Sequence, residues 1–245
     1  MPNRPKSHAI ILDLQPLRDA LAAAKVSGKG LKERHLISKY VPGPSVDYVM
    51  AWYLAYPFLL EITKPRESRY GDYRPLPPSP NNRGAAHKIT VNGNLPPQAF
   101  LLTYLHEVAH MMVIRLIPHR VSAHGVEWKS IFSQMLQPML RPEVFDPEVL
   151  PAMIVYAKDP KASSATDPDL MRALHFGNMD DGAEGALSSK VKPLMDYQPS
   201  AGFRFKLKGR TFEVEEKART TYLCKEIKTG KLYKVKGMAP VEAVQ

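Results

Sequence analysis

The run PPQAFLLTYLHEVAHMMVIRLI, residues 96–117, constrains this chain more than any other stretch. Its two prolines suit the first turn of a helix, and no helix breaker follows them. The spacing predicts one long, apolar helix. Two histidines and a glutamate are set into it, and burying such groups costs several kcal/mol unless they are paired or bound to a metal. Residues four apart lie on one helical face, so His106 and His110 point the same way and can reach one metal ion. Glu107 is offset around the helix, where it can reach a water beside the metal. This is the HExxH arrangement of two ligands and a general base. With 8 histidines and 24 acidic residues in the chain, a chance H-(D/E)-x-x-H match is expected ~0.03 times, so the motif carries weight.

A hydrolytic zinc site needs a third protein ligand and an open position. The residues downstream offer His119, His124 and Glu127. In the metzincin pattern, HExxHxxGxxH, the glycine and final histidine positions fall on Val113 and Leu116, which excludes that class. His119 follows Pro118 at the predicted helix end, Glu127 lies on a second predicted helix, and His124 stands at that helix's entrance.

LLTYLHEVAHMMV followed by HGVEWK resembles the SprT-like family of zinc metalloproteases, which pairs HExxH with an HGxxWK-type segment. SRYGDYR and HKITVN upstream are similar to that family's substrate-side loop and strand. The likeness covers roughly residues 35–140. It implies a zincin-like helical domain in which His106, His110 and His124 bind one Zn2+ and Glu107 is the general base of a metalloendopeptidase acting on protein or peptide. One departure stands out. Many SprT-like proteins carry a zinc ribbon built on cysteines, and this chain has Cys224 alone. Tyr73, Arg74, Arg69 and His119 are candidates for the donor to a substrate oxyanion. Trp128 is expected to pack the second helix on the first. HKITVN is expected to offer its edge to an extended peptide, with His87 structural or facing solvent. The alternative function is a latent or non-catalytic zinc-stabilised module that binds nucleic acid or protein.

Around this motif the pattern predicts an α+β chain. Helices are expected at 14–25, 31–41, 43–57 (capped by Ser45 and stopped by Pro57), 125–137, 146–157 and 167–175, and strands at 58–63 and 87–93 beside the HExxH helix. The prolines and glycines between those strands predict an irregular loop over 65–86, which could cover the cleft. Residues 1–30 read as an N-terminal helical extension, 31–176 as the metallopeptidase domain, 177–200 as a linker and 201–240 as an antiparallel β-unit of about four strands.

That last unit is basic. Residues 200–238 hold eleven Lys/Arg and four Glu, a local sum of +7 out of +10 for the chain. It is the candidate for DNA contact without sequence preference, with Phe203, Phe205, Phe212, Tyr222 and Tyr233 either stacking on bases or forming its core. A lone cysteine excludes an intramolecular disulfide and fits a reducing compartment. The early apolar stretch AIIL ends at Asp13, too short for a signal core. No window is read as a membrane span, so the expected location is cytoplasmic.

Overall fold

The structure, a computed structural model, describes residues 10–66, 69–78, 86–162, 170, 173–174, 191–218 and 221–244. The chain forms two compact units, Met1–Thr166 and Asp167–Gln245. Among the described residues they hold six α-helices and two sheets, one mixed and one antiparallel, in keeping with the expected α+β class.

The first unit contains α1 (Gln15–Ser27), α2 (Leu31–Ile37), α3 (Val46–Ala55), β1 (Leu59–Thr63), β2 (Gly71–Pro75), β3 (His87–Asn92), α4 (Pro97–Leu116), α5 (Val126–Leu136) and α6 (Leu150–Lys158). α1 packs on α3, and the Leu12 N–H donates to Gln134 Oε1 at 3.0 Å. The expected N-terminal extension is thus part of this unit's packing. α2 is shorter than expected because Pro42 lies ahead and disfavours helical geometry before it. Ser45 stands at the N-cap position of α3, as expected, but its side chain makes no capping bond. A 3-10 turn, Gly43–Ser45, leads into that helix, and the Ser45 hydroxyl donates back to the Pro42 carbonyl at 2.7 Å.

The segment expected to be irregular contains a strand. β2 pairs antiparallel with β3, and β1 pairs parallel with β3 on the other side, in the order β1-β3-β2. Proline is tolerated here because β2 is an edge strand and Pro75 is its last residue. β3 is therefore central, with no free edge for a peptide, which corrects the role expected of HKITVN. The edges of this sheet are β1 and β2, and β2 is the one that lines the groove described below.

α4 packs on β2 and β3 on one side and on α5 on another. Phe100, Leu101, Leu105 and Val108 from α4, Ile89 and Val91 from β3, and Trp128 and Phe132 from α5 are fully buried. By length and apolarity α4 could cross a membrane, contrary to the expectation that no stretch would qualify. Its apolarity answers to the core, since 72% of that window is buried in the fold.

The second unit contains β4 (Val191–Pro193), β5 (Arg204–Leu207), β6 (Arg210–Lys217), β7 (Thr221–Glu226), β8 (Leu232–Lys236) and β9 (Pro240–Ala243). They form one antiparallel sheet ordered β4-β9-β5-β6-β7-β8. It has six strands rather than about four. β4 begins inside the segment read as a linker, and Leu194 after it is fully buried. Residues 177–190 of that segment, and the helix expected at 167–175 apart from Leu170, Ala173 and Leu174, lie outside the described residues. Period-two alternation sends Phe205, Phe212, Val214, Tyr222, Cys224 and Val235 to the core. Phe203 and Tyr233 pack against the same cluster, so these aromatics form the module's interior instead of a stacking platform.

Candidate metal centre

His106 and His110 lie one turn apart on α4, and their Nε2 atoms are 3.1 Å apart. His124 comes from the loop before α5. The Gly125 N–H bonds to the Ser122 carbonyl at 3.0 Å, and this tight turn presents the His124 ring. Its Nε2 lies 3.2 Å from that of His106. A tetrahedral ion with bonds of about 2.0–2.1 Å would set its nitrogen ligands about 3.3–3.4 Å apart; two of the three pairs lie close to that separation, and all three ligand atoms lie within 4.8 Å of one another, so the cluster could hold a metal ion. Three neutral imidazoles aimed at one point also leave lone pairs that no shared proton can satisfy together. Burial lowers the pKa of all three. His106 lies well below its usual range, with His110 and His124 adding to the effect, and His110 is lowered to about 4. They stay neutral at pH 7, as metal ligands must. An all-imidazole set suits zinc and its first-row neighbours. Among the described residues, His119 and Glu127 stand outside the cluster.

Trp128 backs the site. It is fully buried, with its ring centre 4.7 Å from that of His106, 4.8 Å from His124 and 5.5 Å from His110. This is the packing role expected of it, and it also fixes the planes of the three imidazoles.

Glu107 projects toward β2 and is 7% exposed. The Tyr73 backbone N–H donates to its carboxylate. Burial, then the charge of Asp72, pushes its pKa up to about 8, against the opposing pull of Arg66, the Tyr73 amide and Arg69. The approach of strand to helix is unusually close. A Cβ on Gly71 would sit 2.6 Å from Glu107 Oε1 and 2.7 Å from Thr103 Cγ2. Only glycine allows β2 to press against the carboxylate.

An open groove of about 1500 Å³ runs past these groups. β2 forms one wall. Tyr70 and Leu76 bond to β3's side of the ladder, so antiparallel alternation turns the backbone groups of Gly71 and Tyr73 toward the groove. Ile114, Ile117 and Val121 form an apolar wall.

The candidate oxyanion donors separate here. Tyr73 lines the groove with its ring parallel to that of His110, and its hydroxyl is 3.0 Å from His87 Nδ1. Arg69 and Arg74 are each tied to Asp72 at 2.6 Å. Burial alone would raise the Asp72 pKa, but hydrogen bonds from Arg74 and Arg69 outweigh it and lower it. His119 is exposed at the groove's lip.

Sequence reasoning missed three participants. Gly71 and Asp72 shape the surroundings of Glu107. His87 takes the structural of the two roles expected of it, 8% exposed and bonded to the Tyr73 hydroxyl. Asn92, the last residue of β3 and the third of those missed, is buried and fully bonded. Its Oδ1 accepts from Arg66 Nε at 2.8 Å and Thr63 Oγ1 at 3.1 Å, and its Nδ2 donates to the Arg66 and Arg69 carbonyls at 3.0 and 3.1 Å. It anchors the chain that leads into β2. β2 left a weak signal, Gly71, Tyr73 and Pro75 on one face against Asp72 and Arg74 on the other, hidden by its prolines. Comparison of the chain with protein-family models, with curated proteins and with solved structures finds no match.

Proposed function

We propose that the first unit is a zinc-dependent endopeptidase of the SprT-like, zincin-like kind, with one ion held by His106, His110 and His124. The observation that carries this reading is the convergence of three neutral imidazoles next to a buried carboxylate at the open edge of a strand. A purely structural metal site has no need of that carboxylate. When bound, zinc supplies Lewis acidity that makes water a competent nucleophile near neutral pH.

The rest falls to the chain's own groups. An extended peptide lies along the free edge of β2 and pairs with the backbone of Gly71 and the carbonyl of Tyr73, the Tyr73 N–H being held by Glu107. Glu107 takes the proton of the attacking water and returns it to the leaving amine. Arg66 and Arg69 favour its charged form, and a cation at the histidines would do so too. The Tyr73 hydroxyl, steadied by His87, donates to the developing oxyanion. Arg69 and Arg74 are committed to Asp72 and hold the strand in place.

The test compares zinc-loaded wild type with Glu107→Gln on an unstructured protein substrate. The variant is expected to keep one zinc per chain while hydrolysis falls by about 10²–10⁴-fold. Zinc-loaded wild type that cleaves nothing would refute the peptidase and leave a metal-stapled binding module. Loss of zinc together with activity would refute the role given to Glu107.

A further inference from the structure

The second unit carries a surface that peptide hydrolysis does not use. On β7 and β8 the register sets Lys225 opposite Leu232, Leu223 opposite Lys234 and Thr221 opposite Lys236. Glu226, Cys224 and Tyr222 turn inward and are buried, so these pairs share the outer face. Lys225, Lys234 and Lys236 are exposed. No carboxylate pairs with any of these three among the described residues. The acid of this hairpin, Glu226, is neutralised by Arg210 at 2.6 Å and bonded by Thr229. The outward acids of the neighbouring strand, Glu213 and Glu216, mark a border, and Glu213 is itself paired with Arg204 at 2.6 Å.

We infer that the outer face of β7 and β8 binds the phosphate backbone of duplex nucleic acid through Lys225, Lys234 and Lys236, without reading sequence. Three points favour this occupant. Lysines on an edge strand can serve only to block strand pairing, but Lys225 lies on the interior strand β7, where no such protection is needed. Edge protection also works with either sign of charge, whereas the outward charges of β7 and β8 are all basic, and the acid opposite Lys225, Glu213 on β6, is taken by Arg204. The module's aromatics are in its core, so the surface offers charge without base stacking. It therefore suits the duplex, with its higher charge density, over a single strand. Residues two apart on a strand are spaced by about 6.8 Å, and lysine stems can span from there to successive phosphates.

The experiment is fluorescence anisotropy of the full-length chain with a mixed-sequence duplex, the same sequence as a single strand, and anionic phosphatidylserine vesicles as competitor. Three phosphate contacts give a slope of log K against log salt of about −2.7, or about a 40-fold loss between about 50 and about 200 mM salt. The triple substitution Lys225→Gln, Lys234→Gln, Lys236→Gln should bring the slope close to zero. Should the triple variant fail to fold, each single substitution is expected to reduce it by about 0.9. Lys25→Gln, Lys29→Gln, Lys32→Gln, exposed lysines of the first unit, should leave it unchanged. No duplex binding at low salt, equal loss in the control variant, tighter binding of the single strand, or displacement by vesicles through the exposed Ile227 and Leu232 would each overturn the inference. None of these readouts depends on peptidase activity.

Discussion

Adding a single methyl group to Gly71 should disable the site without touching the metal. An alanine Cβ there would meet Glu107 Oε1 at 2.6 Å, Thr103 Cγ2 at 2.7 Å and Glu107 Cγ at 2.8 Å. Comfortable carbon contacts lie at about 3.5–4.0 Å, so about 1 Å must be recovered. β2 is poorly placed to yield it, because pairing with β3 and the Asn92 anchor hold it from behind. The carboxylate moves instead. A misplacement of about 1 Å costs on the order of 100-fold in rate, equal to about 2.7 kcal/mol of transition-state stabilisation. Overpacking should also lower stability by about 1–3 kcal/mol. The assay is kcat/KM on an unstructured substrate, with metal content and thermal midpoint measured in parallel. One zinc per chain should persist, since no atom of His106, His110 or His124 is among the three nearest the added Cβ. Combining Gly71→Ala with Thr103→Ser removes one of the three clashes and should recover part of the stability but little of the rate. Full activity and an unchanged midpoint in Gly71→Ala would refute the close approach itself. Metal lost along with activity would refute the assignment of the effect to Glu107.

Two further predictions concern stability. In metal-free protein the lowered histidine pKa values mean that the unfolded chain binds more protons below the ordinary value of 6.5, so the histidines' contribution falls as pH drops from there through about 4. Glu107 acts with the opposite sign: raised from 4.5 to about 8, it favours the fold below pH 4.5 and loses that contribution as pH rises through 8. Metal-free Glu107→Gln should therefore match wild type near pH 4 and exceed it near pH 9 by a few kcal/mol (order of magnitude) in urea unfolding, and equal stability at both would show that Glu107 is not buried as described. In the second unit Lys208 and Gly209 form the two-residue turn between β5 and β6 with φ of 50° and 75°. Lys208→Asn, better suited to that left-handed geometry, should raise the unit's stability by about 0.5–1 kcal/mol, and a lower unfolding midpoint would contradict the turn type.

How much of this was readable beforehand differs from element to element. α4 was, because a long apolar run between prolines admits few conformations, and the i, i+4 spacing put His106 and His110 on one face. His124 was not separable from His119 or Glu127 by spacing alone, because which loop residue turns back depends on the Ser122–Gly125 turn. β2 escaped because Pro75 and Pro77 read as breakers, whereas an edge strand tolerates a terminal proline. β4 and β9 escaped because three and four residues are too few to show a period. Gly71 and Asn92 carry no one-dimensional signal at all: one matters for what it lacks beside Glu107, and the other for bonds to residues more than twenty positions away.

The division of the three ligands between helix and loop has a consequence for folding. His106 and His110 are neighbours on any chain that forms this one helix, so a half-site needs that helix alone. His124 joins it only when the start of α5 docks against α4. An ion captured first by the pair would be a tether that rewards docking of the third. A completed site would stabilise the folded unit by about 4 kcal/mol when free metal stands at about a thousand times its dissociation constant. Metal supply in the surroundings would then regulate how much of the chain is folded as well as how much is active.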